Sequence, residues 1–278
     1  MPLHTQASPD YSLTLEYKQG VGYYVSRPLL ERHGILAVFT TRQGGFSRGA
    51  YGSLNLALHV GDDSELVIRN REKLCSIFGL DMARLVCAEQ VHGTDTALID
   101  ESRVGLGAFS LEDSIKGTDA LVTASKLVPL ILFFADCVPV IIVEPWKRSV
   151  AVIHAGWRGI YGDIIGKTIG SMFPERGDAS ESALAFVGPA IGGCCYTVGR
   201  DLIQLFTERF ESSQEWLDGD RIDLRAIARG QLLKSGILNS NIYTCEDCCT
   251  ACNSGLFFSY RADSGTTGRQ AALAAILT

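Results

Sequence analysis

The chain has 278 residues, a net charge of −6 and 46 % hydrophobic residues. That length supports one large or two small domains with a substantial core, and the acidic balance leaves no basic footprint for nucleic acid. The longest apolar stretch, 127–143, is interrupted by Pro129, Asp136 and Pro139 and is too short to span a bilayer. No charged segment followed by an apolar one opens the sequence, so a cytoplasmic location is expected. Nine cysteines, an odd number without an export signal, read as thiols rather than as a disulfide framework.

Taken in order, the N-terminal segment 1–33 reads as peripheral, with weak alternation at 13–17 and 23–25 that fits a hairpin. Residues 35–41 form a clear strand that runs into a Gly-rich loop at 42–49. Asp62 with Glu65 three residues on gives a capping-box signature for a helix through about Phe78. Its apolar positions Leu66, Val67, Leu74, Ile77 and Phe78 fall on one face. Apolar runs at 85–91, 130–136 and 149–153 read as buried strands. A helix is expected after Gly159, with Ile160, Ile164, Ile165 and Ile169 inward. The run 185–189 is a strand that ends in a Gly-rich turn at 188–193. Helices around 201–210 and 223–235, short strands at 242–244 and 257–260, and an Ala-rich helix at 268–277 complete the chain.

Apolar runs without alternation imply sheets covered on both faces. The closely spaced runs 130–136 and 138–144 allow an antiparallel pair. No Pro- or Ser-rich linker, charge block or repeat interrupts the chain. The expectation is an α+β (layered α/β) fold: mixed β-sheets packed together and flanked by helices, as a single domain over 1–278.

Three metal-capable residues, His92, Cys137 and His154, follow three of the apolar runs. Strand ends deliver side chains to one place without loop slack. Two imidazoles and one thiolate suit zinc with one coordination position open, the arrangement of catalytic rather than structural sites. Each residue taken alone reads as a surface His, a buried Cys or a satisfied His. Their shared position and their loop-forming neighbours raise the joint reading, since Gly and Pro fix turns or allow close backbone approach.

The segments Thr41-Arg42-Gln43-Gly44-Gly45, Gln90-Val91-His92-Gly93, Thr118-Asp119-Ala120, Ala135-Asp136-Cys137, His154-Ala155-Gly156-Trp157-Arg158-Gly159, Gly188-Pro189-Ala190-Ile191-Gly192 and Phe258-Ser259-Tyr260-Arg261 resemble the laccase-domain family. That family is also called multicopper polyphenol oxidase-like, purine nucleoside phosphorylase-like or peptidoglycan editing factor. The resemblance runs from about Gly34 to the C-terminus. It implies one zinc bound by His92, Cys137 and His154. It also implies phosphorolysis of adenosine, inosine and methylthioadenosine, and deamination of adenosine. The partners it implies are a purine nucleoside and phosphate, with no nucleic acid and no membrane.

The oxidase label fits the composition poorly. The chain has five histidines and no His-x-His pair, and a trinuclear copper cluster is rich in His. Blue copper adds a weak axial Met, but Met1, Met82 and Met172 are all remote from the three ligands in sequence. A true laccase is therefore rejected, while copper remains a substitute for zinc because Cu(II) generally outcompetes Zn(II).

Phosphorolysis needs an anion site, and Arg suits bidentate recognition of phosphate. Arg42 and Arg48 flank Gly44 and Gly45, whose backbone N–H groups can add to a phosphate cradle. Arg158 lies four residues after His154, and Arg261 belongs to the last motif. The alternative for each is solvated surface charge. Asp136, beside Cys137, is expected either to cap a turn or to act catalytically by fixing the tautomer of His92 or His154, with Glu89 and Asp95 as competitors.

Two Cys-x-x-Cys pairs stand back to back at Cys245, Cys248, Cys249 and Cys252. A tetrathiolate zinc, reversible disulfides and packing thiols are all open, and packing is the expectation because no loop separates the pairs. Cys194 and Cys195 read as buried thiols. Two other functions stay open. One is a cysteine hydrolase or amidase acting in peptidoglycan precursor editing, with Cys137 as nucleophile and His154 or His92 as base. The other is a non-catalytic binding protein.

Overall fold

Strand-length apolar runs with both faces buried need a cover on each side, and the protein supplies it as four layers. The computed structural model describes residues 10–174, 179–245 and 247–278. In chain order the strands are β1 (Thr14–Lys18), β2 (Val21–Val25), β3 (Ile35–Thr40), β4 (Val86–Cys87), β5 (Thr96–Ile99), β6 (Ala120–Thr123), β7 (Leu130–Phe134), β8 (Val138–Glu144), β9 (Ser149–Ala155), β10 (Leu184–Val187), β11 (Leu217–Asp218), β12 (Arg221–Ile222), β13 (Ile242–Thr244) and β14 (Gln270–Ile276). The helices are α1 (Arg27–His33), α2 (Ser64–Phe78), α3 (Trp157–Tyr161), α4 (Ile164–Met172), α5 (Ala179–Ser182), α6 (Arg200–Arg209) and α7 (Leu224–Lys234).

Two six-stranded mixed sheets stack, in the orders β1-β2-β3-β14-β7-β4 and β13-β10-β8-β9-β6-β5. Strand alternation sorts the side chains. Leu130, Leu132 and Phe134 of β7 meet Ile141, Val143, Val150 and Val152 of β8 and β9 between the sheets. Ile131 and Phe133 face the other way, toward Leu74 and Ile77 of α2. Val138, Val140 and Ile142 of β8 pack with Ile160, Ile164, Ile227 and Leu232 from α3, α4 and α7. The layers are thus helix, sheet, sheet, helices, as the sequence leads one to expect. No helix among the described residues is long and apolar enough to cross a membrane.

Several elements differ from the sequence reading. The Ala-rich C-terminus is not a helix. It is β14, a fully buried strand between β3 and β7 with Ala272 opposite Phe39 and Ala274 opposite Ala37. Its intrinsic helix preference is overridden by pairing on both edges, and small side chains suit a strand packed on both faces. Residues 257–260 form no strand. Instead the side-chain amide of Gln270 donates to Phe258 O (3.1 Å) and accepts from Phe258 N (2.8 Å) in place of a ladder. The run 85–91 pairs as a strand only at Val86–Cys87. Asp63, not Asp62, caps α2, accepting from Glu65 N, while Asp62 accepts from Asn55 Nδ2 at 2.9 Å.

The expected helix after Gly159 begins earlier, at Trp157, and breaks at Asp163. That residue sits at φ 60° and caps α4 through Gly166 N. Helix α1, with a Pro in its first turn, stands where the sequence suggests no helix. The N-terminal hairpin is peripheral only in position. β1 is the edge of the first sheet, but Val21, Tyr23 and Val25 of β2 are buried. Residues 1–9 of that segment lie outside the described residues.

The correction that matters most for function concerns β7 and β8. They do not pair. β7 lies in the first sheet and β8 in the second, so the chain changes sheets at Ala135, Asp136 and Cys137. Asp136 takes φ 89° to make that crossing.

Candidate active site

The crossing turn delivers Cys137 to one end of the inter-sheet core, where it packs against the core residues. His154 is the penultimate residue of β9. It falls in the alternation of Val150 and Val152, so its ring faces inward, with its centroid 5.4 Å from that of Phe134. His154 is only 4 % exposed.

His92 reaches the same place by a different route. It is not at a strand end but in a loop beyond β4, at φ 59°. Gln90 fixes that loop. Its side chain donates to Phe133 O and accepts from Phe133 N, both at 2.8 Å, continuing the edge of β7 where β4 has stopped. The His92 and His154 rings then meet edge to face, with centroids 4.8 Å apart. One ligand atom each from His92, Cys137 and His154 lies within 4.8 Å of the others. Gly156 completes the space: a Cβ there would sit 3.0 Å from His92 Cδ2 and 3.2 Å from Cys137 Sγ.

A carboxylate that sequence reasoning passed over organises the cluster. Asp119 is fully buried, and its Oδ1 lies 2.7 Å from His154 Nδ1. It also accepts from the backbone N–H groups of Val91 (3.2 Å), His92 (3.0 Å) and Gly93 (2.7 Å). Burial opposes its ionisation, but the bonds from His154, Gly93 and Val91 more than offset that and hold its pKa below the usual value. A carboxylate can only accept, so Nδ1 carries the proton and Nε2 of His154 is left to ligate. This is the carboxylate–histidine arrangement that metal sites use to set tautomer and ring orientation. The signal lay in Thr118-Asp119-Ala120, but a lone Asp before a strand looks like any turn residue.

Asp136 does not fill that role. Its Oδ1 accepts from Thr250 Oγ1 at 2.6 Å and its Oδ2 from Arg261 N at 2.7 Å, so it anchors the crossing turn to the C-terminal loops. Glu89 and Asp95 contribute backbone carbonyls, to Thr118 N and to Asp119 N.

The arginines separate. Arg42 is committed to the fold. Its Nε donates to Gly52 O (2.9 Å) and its guanidinium to Ser254 O (2.9 Å), while the group stacks 4.5 Å over Phe258. Nε and Nη1 are thereby engaged by backbone carbonyls, which gives Arg42 a structural task that the sequence did not suggest. Arg48 is exposed beside the single turn Gly49–Tyr51. Arg158 is exposed and stacks 4.4 Å from the Trp157 ring. Arg261 donates to Thr197 O (2.8 Å) and lies 5.2 Å over Tyr196. Tyr196 was not anticipated. Burial, and then the nearby charges of Cys137 and Asp136, push its hydroxyl up to about 12, with Arg261 and Arg158 opposing. Tyr196, Arg158 and Arg261 therefore border one region beside Cys137.

The three side chains of the cluster polarise one another. Burial works against ionising Cys137, but His154 foremost and then His92 bring its thiol down to about 6. Burial likewise disfavours a charged His154, but Cys137 and Asp119 raise it to about 9. Three convergent soft and borderline donors, with one imidazole already oriented and one side formed by a glycine, fit a single zinc-sized ion, and three protein donors are the number found in catalytic rather than structural sites.

Comparison with known proteins decides the family. Residues 36–277 match the family described as multi-copper polyphenol oxidoreductase laccase. The chain belongs to this laccase-like family. Over 245 residues it is 41 % identical to purine nucleoside phosphorylase YlmD of Geobacillus stearothermophilus, covering 86 % of this chain and 89 % of that protein. It is 33 % identical over 242 residues to adenosine deaminase RL5 from an unknown prokaryotic organism, covering 85 % and 92 % respectively. The crystal structure of Geobacillus stearothermophilus YlmD superimposes with a TM-score of 0.88 and 38 % identity, covering 97 % of this chain and all of that one. Laccase-like membership and the layered fold thus agree with the expectation from the motifs.

Proposed function

We propose that this chain is a zinc-dependent purine nucleoside enzyme that performs phosphorolysis of adenosine, inosine and methylthioadenosine and deaminates adenosine. The observation that carries the reading is the convergence of His92, Cys137 and His154, with Asp119 fixing the His154 tautomer. The relatives named purine nucleoside phosphorylase and adenosine deaminase supply the substrate class.

Zinc bound by these three residues would supply a Lewis acid and a position for water or a substrate oxygen. The chain's own groups do the rest. Asp119 holds the imidazole in the ligating tautomer. Arg158, stacked on Trp157, presents a guanidinium fork for phosphate, and Arg261 adds positive charge across Tyr196. Tyr196 keeps its proton at neutral pH and so offers a hydroxyl donor. In phosphorolysis a phosphate oxygen forms the bond to the ribose anomeric carbon as the glycosidic C–N bond breaks, and the purine leaves with the bond electrons and takes up a proton. Copper substitution remains compatible with the donor set. The test is inosine turnover with and without phosphate, followed by product identification: ribose 1-phosphate and hypoxanthine support the reading, and free ribose replaces it with hydrolysis.

One observation favours a second reading. A thiol brought down to about 6 beside an imidazole is also the chemistry of a cysteine hydrolase or amidase, such as one acting on peptidoglycan precursors. Full activity after metal removal would select that reading over the first.

A further inference from the structure

A second set of sulfurs converges away from the His92, Cys137 and His154 cluster. The turn after β10 carries Cys194 and Cys195, and the loop after β13 carries Cys249 and Cys252. One sulfur from each of these four residues lies within 4.8 Å of the others. Cys252 Sγ is 3.3 Å from Cys195 Sγ and 3.6 Å from Cys194 Sγ. A tetrahedral zinc with Zn–S bonds of about 2.3 Å sets its sulfurs about 3.8 Å apart. We propose that Cys194, Cys195, Cys249 and Cys252 hold a second, structural zinc ion.

The backbone holds the two segments in that register. Ala190 and Cys249 form a parallel bridge, Thr250 N donates to Ala190 O at 3.0 Å, and Cys195 N donates to Gly192 O at 2.9 Å. Gly192 N donates to Cys249 Sγ at 3.3 Å, an N–H···S contact that stabilises a thiolate. A side chain at Gly192 would displace its neighbours. A Cβ there would lie 2.8 Å from an Arg225 guanidinium nitrogen and 3.2 Å from Cys194 Sγ. Arg225 therefore approaches the cluster while ion-paired with Asp223 at 3.1 Å, so the charge of the thiolates is met by the divalent ion and by N–H groups such as that of Gly192.

A disulfide explains the arrangement less well. It joins two sulfurs at about 2.05 Å, whereas Cys252 is shared between two partners and Cys249 approaches as well. The neighbouring Cys245 and Cys248, which do form a disulfide, stand outside the group. The back-to-back Cys-x-x-Cys run is thus divided. Only its second pair enters the site, and the complementary pair comes from a distant turn, which lets ligands cover opposite sides of an ion. Four thiolates leave no open position, so the ion is structural.

Its location gives it a purpose. Thr250, between Cys249 and Cys252, donates to Asp136 Oδ1 at 2.6 Å, and Ile191 N, from the other segment, donates to Asp136 O at 3.0 Å. The two segments pinned by the ion grip the residue before Cys137.

The Cys137→Ala variant isolates the second site by crippling the first. Zinc content after dialysis against a weak chelator and zinc X-ray absorption are measured on the full chain. About one retained zinc per chain, surrounded only by sulfur at about 2.3 Å, is the expected result. Alkylation of the native protein should spare these four cysteines until a strong chelator is added. Cys249→Ser with Cys252→Ser in the otherwise native chain should lose that sulfur-only zinc and keep the nitrogen-and-sulfur one. The proposal is overturned if Cys137→Ala protein retains no sulfur-coordinated zinc, or if non-reduced peptides show Cys252 disulfide-bonded to Cys194 or Cys195. A wild-type protein with a single, all-sulfur zinc would sink the first site and leave this one standing.

Discussion

Asp119 Oδ1 lies 2.7 Å from Nδ1 of His154, and both side chains are buried. That contact joins the second sheet to the His92 loop, because the same carboxylate takes three consecutive backbone N–H groups from Val91 to Gly93. One residue therefore sets the tautomer of one histidine and the position of the other.

Asp119→Asn keeps the shape but loses the charge and turns one acceptor into a donor facing an N–H group. Metal affinity should fall about 10- to 100-fold, the usual effect of losing such a partner. Competition with a chromophoric chelator measures it. Thermal stability should also fall, since a charge-assisted hydrogen bond is worth about 1.5–3 kcal/mol. Unchanged zinc affinity would remove Asp119 from the site.

Cys137→Ala should abolish nucleoside turnover yet leave a cooperative thermal transition. Cys137 only borders the inter-sheet cluster and takes no part in the outer ones, so the core holds the fold. Calorimetry beside an activity assay checks this, and a variant that unfolds or aggregates would assign the first metal a structural task.

Arg42→Lys should act on stability rather than on phosphate. The guanidinium bonds carbonyls of Gly52 and Ser254, a geometry that an ammonium cannot reproduce. A loss of about 1 kcal/mol in urea unfolding is expected, the net worth of the part-buried bond to Gly52 O. The KM for phosphate should not move. A large rise in that KM with unchanged stability would return Arg42 to the anion site.

Arg158→Lys keeps the charge and loses the planar fork and the stacking on Trp157. Phosphorolysis should drop about ten- to a hundredfold, corresponding to about 1.5–3 kcal/mol of transition-state binding, with the thermal transition unmoved. Steady-state kinetics with phosphate as the varied substrate reads it. An unchanged kcat/KM for phosphate would place the anion elsewhere.

The three donor residues were legible because His and Cys in glycine-rich contexts carry chemistry in their identity. Their delivery was only partly legible. His154 ends a strand as expected, but His92 depends on Gln90 imitating a strand partner of Phe133, a side-chain contact that no periodicity encodes. Asp119 looked like a turn residue because its partners, His154 and the 91–93 amides, are remote in sequence. The layered fold followed from apolar runs such as 130–134 and 140–143. The assignment of β7 and β8 to opposite sheets did not, since a tight hairpin and a sheet crossing share the same spacing. The Ala-rich β14 was misread because helix propensity is local and its burial between β3 and β7 is not. The cysteines were expected to be thiols, but Cys245 and Cys248 are joined. The grouping of Cys249 and Cys252 with Cys194 and Cys195 is visible only once β10 and β13 pair in parallel.

The most direct test of the account uses one preparation, stripped with a strong chelator and then restored with zinc, with metal content, inosine turnover and products followed on the same sample. The account predicts that turnover disappears with the metal and returns with zinc, and that base release requires phosphate and yields ribose 1-phosphate. Full turnover in the stripped protein, or equal base release without phosphate, would contradict it.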